Sequence, residues 1–411
     1  MLKGNLLFGQ SGGPTAVFNS SAAGVFIEAL DNNAVDKVYA AANGIAGLLN
    51  ENIYDINQEE RCELLRLKNT PSSMIGSCRH KLKDYLLDDS EYQEILRIFK
   101  KYNIRFFLYN GGNDSMDTCN KISRYLESVD YECKVIGIPK TIDNDLCATD
   151  HCPGYASAAK YVATTTMEIC ADACVYDTPM VCIIEIMGRH AGWLAASSAL
   201  ASIQGFGPDL IYLPEVVFDI NNFLNDVKEI YNRKNKVIIA ISEGLRTKEN
   251  LYIPELVKNI SKDSFGHKQL GGAAQVLADF VANELHCKVR GIELSLMQRA
   301  ASHLASKIDV EEAYGAGAYA VKMATSGKSK GMVSIKRLEG GEYKSSFELV
   351  PLSITANTEK KFPIEWINDK QNNVLPDFFE YILPLIQEKS EPQFENGLPR
   401  YAKLKKVQVR K

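Results

Sequence analysis

The segment Val135-Ile136-Gly137-Ile138-Pro139-Lys140-Thr141-Ile142-Asp143-Asn144-Asp145 runs from four residues with no polar face into a turn crowded with charge. An apolar run that offers water nothing on either side suits a strand buried on both faces of a parallel sheet. The turn packs a cation, two carboxylates and an amide into a few residues. Ligands of open α/β sheets bind beyond the carboxyl ends of the strands, so such a turn marks where a site belongs. A loop made polar only to face solvent is the plainer alternative.

The same grammar repeats on either side. Leu6-Leu7-Phe8, Val38-Tyr39-Ala40, Phe106-Phe107-Leu108-Tyr109, Val181-Cys182-Ile183-Ile184 and Val237-Ile238-Ile239-Ala240-Ile241 read as buried strands alternating with helix-length amphipathic segments. Several end in polar or glycine-rich turns: Gly9-Gln10-Ser11-Gly12-Gly13, Gly111-Gly112-Asn113-Asp114-Ser115, Met187-Gly188-Arg189 and Glu243-Gly244. The class is therefore α/β, with mostly parallel sheets. Residues 209–233 and the stretch after Gly340 are more polar and less patterned, and the tail beyond Pro392 reads as a docked or partly ordered extension.

At 411 residues, with 45% hydrophobic and 24% charged, the chain has material for two domains. A formal net charge of −4 gives no overall attraction to nucleic acid or an anionic membrane, so an anionic ligand must be met by local cations. The ten cysteines form no Cys-x-x-Cys pair, which points to reduced, mostly buried thiols. No apolar run approaches the roughly 20 residues a spanning helix needs, and the expected location is cytoplasmic.

Glycines in the first turn let backbone N–H groups approach an anion at a helix N-terminus. The second adds a carboxylate and a hydroxyl that suit magnesium, or that simply cap the helix beginning near Ser115. In the third, a carboxylate beside a cation is what phosphoryl transfer to a hydroxyl requires. No Walker A loop or dinucleotide fingerprint is present; Gly327-Lys328-Ser329 lacks the earlier glycine, and Gly315-x-Gly317 follows no strand.

Ser11-Gly12-Gly13, Gly111 to Ser115, Pro139 to Asp145 and Met187-Gly188-Arg189 occur in the order seen in phosphofructokinases, which the chain resembles over roughly residues 4–335. Ile75 to Arg79, Ile241 to Gly244, and Arg290 through Arg299 extend the likeness. It implies two Rossmann-like α/β domains facing across a cleft. The donor domain would be 1–154, completed by about 291–345, with a fructose 6-phosphate domain at 155–290 and a C-terminal extension at 346–411. By similarity Asp143 is the general base for the sugar 1-hydroxyl, Thr141 and Ile142 lie at the reacting phosphate, Gly12 is a backbone donor and Arg79 neutralises departing charge. Met187, Gly188, Arg189, Glu243, Arg290, Leu296, Met297, Gln298 and Arg299 match the positions of sugar-phosphate contacts. Asn113 and Asp145 are the expected Mg2+ positions, and a homodimer or homotetramer is the family habit.

Asp114 and Lys140 stand where ATP-using bacterial relatives usually carry glycine, which resembles the pyrophosphate-dependent type. A carboxylate at 114 would repel a nucleotide α-phosphate, and Lys140 would sit by the leaving group. Ile45 stands where ATP enzymes often offer a tyrosine to adenine. Three positions depart from the common pattern: Asn113 for an aspartate, Met180 for an arginine lent across a subunit interface, and Leu296 for a histidine. Lys322 is a candidate stand-in by position only, a helix-surface lysine being the plainer reading. An ATP-dependent phosphofructokinase and a non-catalytic sugar-phosphate-binding subunit are the alternatives to the pyrophosphate enzyme.

Overall fold

The computed structural model describes residues 2–257, 271–356 and 358–409. Strands β1 (Gly4–Gln10), β2 (Val35–Ala41), β3 (Ile53–Asp55), β4 (Ile104–Gly111) and β5 (Lys134–Pro139) belong to a larger sheet. A smaller sheet holds β6 (Met180–Ile186), β7 (Leu210–Tyr212), β8 (Lys236–Ser242) and β9 (Lys288–Glu293). The chain then returns to the larger sheet with β10 (Gly331–Arg337) and β11 (Ser345–Pro351).

The larger sheet has the order β11-β10-β5-β4-β1-β2-β3, and only its outer pairs, β10 with β11 and β2 with β3, are antiparallel. The smaller, β7-β8-β6-β9, is parallel throughout. Central strands β1, β4, β5, β6 and β8 are the apolar runs that the sequence marks as buried on both faces, and they are so. Strand β9, KVRGIE, alternates charged with apolar residues because it lies at a sheet edge, and it carries no such signature. Residues 209–233, weakly patterned in sequence, hold β7 and most of the helix Ile220–Lys234, whose N-cap Asp219 accepts the Asn222 N–H at 2.8 Å.

Helix Phe18–Leu30 crosses helix Lys307–Thr325 with almost no side chain between them. A Cβ on Gly317 would lie 2.1 Å from the Ser21 carbonyl oxygen, and one on Gly24 would lie 2.0 Å from that of Tyr314. That crossing accounts for the glycine of Gly315-x-Gly317 nearer the partner helix. The segment after β11 packs Phe362, Trp366 and Tyr381 around Trp193, with ring centroids 5.2 to 6.0 Å from that indole, and Phe378 packs behind them at 5.3 Å from Phe362. The tail docks: Val409 N–H donates to the Ile53 carbonyl at 2.9 Å and Asp55 N–H to that of Val407 at 2.9 Å, covering the edge strand β3. All ten cysteines are free, four of them buried and two exposed. Among the described residues no helix is long and apolar enough to cross a membrane.

Candidate active site

The carboxyl ends of β1, β4 and β5 lie side by side and place the three polar turns together. Ser11 N–H donates to the Asn110 carbonyl at 2.9 Å, and Lys140 N–H to that of Gly111 at 3.0 Å. Gly12 has φ +85°, the left-handed region, and a Cβ there would stand 3.1 Å from the Lys140 Nζ. The loop thus lies against the ammonium. Gly12 N–H itself donates to the Cys78 carbonyl at 2.9 Å, so in this conformation that donor is engaged within the chain. Asn113 and Asp114 begin the helix Asn113–Ser128, and Gly111 has no room for a side chain because its Cβ would meet Ser115 Oγ at 2.0 Å. Asp114 faces Lys81 at 3.5 Å and is partly exposed.

Within the third turn, Asp143 N–H donates to Thr141 Oγ1 at 3.1 Å. Asn144 is fully buried with φ +54°, its side chain donating to the Tyr381 hydroxyl at 2.8 Å and accepting Cys152 N–H at 3.0 Å. Asp143 and Asp145 flank it. Asp145 Oδ2 accepts from Asn113 Nδ2 at 3.3 Å, while Asn113 Oδ1 is buried without a partner.

The electrostatics follow from crowding charge into a place with little water. Burial pushes the Lys140 amine down to about 8, opposed by the carboxylates of Asp143 and Asp145. Burial raises the Asp143 carboxyl, with Glu243 adding to the rise; burial and then Asp143 raise Asp145. Two mutually repelling carboxyls beside an orphaned amide oxygen are a donor set that a hard divalent cation would satisfy, with phosphate oxygens and water completing its shell. The residues present fit magnesium. No group of three or more acidic, histidine or cysteine side chains forms a closed metal cage among the described residues.

From the smaller sheet, the ends of β6, β8 and β9 converge on the same space. Met187 N–H donates to Gln298 Oε1 at 3.1 Å, Glu243 N–H to the Ile186 carbonyl at 2.8 Å, and Ser242 Oγ–H to the Gly188 carbonyl at 2.5 Å. Arg299 reaches the first turn, its Nη1 lying 2.6 Å from where a Gly13 Cβ would be, and burial lowers its affinity for its proton, with Arg79 adding to the effect. Arg189 Nε is buried with no hydrogen-bond partner. The exposed Arg79 is close enough to act on both Lys140 and Arg299.

Three positions matched by similarity, Arg290, Leu296 and Met297, lie away from the cluster within this chain. Arg290 pairs in register with Cys182, three residues before the end of β9, and its exposed side chain faces Asp172 at 3.7 Å. At about 3.3 Å per residue it is roughly 10 Å up the strand from the cluster within this chain. Leu296 and Met297 are 56% and 58% exposed, so of the segment before Arg299 only Gln298 points inward. Ile45 is wholly buried, its N–H donating to the Tyr109 hydroxyl at 3.3 Å, and offers no surface on which a base could stack. Lys322 lies on a helix surface beside Glu28 at 3.6 Å.

Sequence reading missed the residues that arrive from beyond β11. Glu359 meets His190 at 2.8 Å, and Lys360 N–H donates to the Asp145 carbonyl at 2.7 Å. They belong to no motif and reach the turn only through folding.

The phosphofructokinase family model matches residues 5–324. Over its whole length the chain is 42% identical to the pyrophosphate--fructose 6-phosphate 1-phosphotransferase of Halomonas elongata, covering 98% of that protein. The crystal structure of a pyrophosphate-dependent phosphofructokinase from Marinobacter aquaeolei is similar with a TM-score of 0.88 and 39% identity, covering 99% of this chain and 98% of that one. Its counterpart from Nitrosospira multiformis gives 0.89 at 36% identity, covering 100% and 98%. With the turns, the two sheets and the full-length likeness in agreement, the chain belongs to the phosphofructokinase family.

Proposed function

We infer that the chain is a diphosphate--fructose-6-phosphate 1-phosphotransferase, reversibly transferring a phosphoryl group from inorganic pyrophosphate to the 1-hydroxyl of fructose 6-phosphate, with fructose 1,6-bisphosphate and phosphate as products. The observation that carries this reading is a buried ammonium, Lys140, packed under the glycine turn beside the half-buried carboxyl of Asp143. Asp143 takes the hydroxyl proton as the oxygen attacks, and its raised affinity for a proton suits a base working near neutrality. Lys140 and Arg79 hold the phosphate that departs, where negative charge gathers. Thr141 and Ile142 border the transferred group. Met187, Gly188, Arg189, Glu243, Gln298 and Arg299 hold the sugar phosphate, the arginines through paired donors. Arg290, with Leu296 and Met297, lies on the outer surface and would serve a neighbouring subunit of a homodimer or homotetramer.

Magnesium, held by Asn113 and Asp145, would neutralise charge on the phosphoryl oxygens. The donor unit is taken as 1–154 with about 294–351, since β11 pairs within its sheet, and the sugar unit as 155–293, since β9 pairs within the other; the remaining C-terminal segment packs against both. Water is shielded from the transfer when the two close. A cytoplasmic location is in keeping with the relatives that the chain resembles over its whole length. A coupled assay with magnesium and each donor in turn is the test: turnover with pyrophosphate and not ATP is expected, and the reverse preference would refute the donor assignment.

A further inference from the structure

Asn144 sits between the two carboxylates of the third turn in a left-handed conformation, with every polar atom of its side chain engaged. Its amide donates to the hydroxyl of Tyr381, 237 residues later in the chain and outside the span matched by the family model. That hydroxyl passes its own proton on to the Asp150 carbonyl at 2.8 Å, so it accepts from one end of the loop and donates to the other. The ring cannot drift: it packs with Trp193 at 5.2 Å and Trp366 at 5.8 Å, and the Arg337 guanidinium lies over it at 5.0 Å while donating to the Tyr381 carbonyl at 3.0 Å. Lys360 adds a parallel tie, its N–H on the Asp145 carbonyl and its half-buried ammonium on the Asp150 carbonyl at 2.7 Å.

We propose that Tyr381 is a positioning residue for the transfer, clamping the loop 141–152 through Asn144 so that Asp143 and Asp145 keep their relative directions. This rests on the proposed function. A left-handed non-glycine residue costs about 1–2 kcal/mol that its hydrogen bonds must offset, and a reacting carboxylate displaced by about 1 Å loses rate steeply, on the order of 100-fold in severe cases. The C-terminal segment is thereby part of the active-site scaffold.

Tyr381→Phe removes the hydroxyl and keeps the ring. Expected is a drop in kcat of about ten-fold with KM for fructose 6-phosphate changed less than about two-fold, together with faster deuterium uptake over residues 141–152. Tyr131→Phe deletes another hydroxyl, bonded to the Phe99 and Ile104 carbonyls, and should change neither readout. Should Tyr381→Phe not be recovered folded, Asn144→Gly tolerates the left-handed backbone and deletes the same bond. Unchanged uptake over the loop in either folded variant overturns the clamp, as does unchanged kcat. Uptake is measurable whether or not the wild type uses pyrophosphate, so failure of the functional reading shows separately, as absence of wild-type turnover.

Discussion

His151 offers a way to measure how strongly the ground under the third turn is held. Its side chain is completely buried, with Nδ1 2.8 Å from Asp150 and Nε2 2.6 Å from Glu312. Both ring nitrogens face carboxylate oxygens, so both carry protons and the ring is a cation. Burial by itself would lower its proton affinity, but Glu312 and Asp150 outweigh that and raise it from 6.5 to about 9. A gap of that size amounts to about 3 kcal/mol, at about 1.4 kcal/mol per pH unit. Because the folded state binds this proton more tightly, the contribution is complete below about pH 6.5 and fades as pH rises through 9. The perturbation is the pair His151→Gln with Glu312→Gln, which puts two amides in place of the ion pair and leaves Asp150 to Arg337 at 3.0 Å. The assay is urea unfolding at pH 6.5 and 9.5, followed by fluorescence of Trp193 and Trp366, both in the aromatic cluster that holds Tyr381. Wild type should lose about 3 kcal/mol more than the double variant across that interval, other titrating groups being common to both. Parallel losses in the two proteins would refute the reasoning.

Gly12→Ala forces a Cβ into a φ +85° position 3.1 Å from the Lys140 ammonium; a stability loss of about 1 kcal/mol and a raised KM for pyrophosphate are expected, and an unchanged KM counts against the turn as the phosphate site. Asp114→Gly removes the carboxylate on the first turn of its helix, and a loss of pyrophosphate activity with a gain of at least about ten-fold with ATP is expected. Intact pyrophosphate activity with no gain from ATP would show that donor choice lies elsewhere.

Local chemistry was enough to locate much of the site. Apolar runs such as Val135 to Ile138 announce buried parallel strands because both faces must be covered, and the turns after them announce a ligand because sheet geometry leaves their ends open. Strand β9 was invisible for the complementary reason: at an edge, half its residues can be charged. Position in a motif was a weaker guide to direction. Arg290 lies too far up its strand and Leu296 and Met297 face outward, since burial and register are set by what packs alongside.

The sequence by itself determined the α/β class and the family and named Lys140, Asp143, Asp145, Arg189 and Arg299 as candidates, because each depends on residues close together in the chain or on motifs in fixed order. Only the tertiary structure decided that Asn113 keeps an orphaned oxygen beside Asp145, and that Tyr381 and Lys360 close on the same turn from more than 200 residues away. Such contacts have no local pattern: the aromatic packing that brings the C-terminal segment onto Trp193 selects them, and hydrogen bonds of good geometry form where that packing happens to deliver their partners.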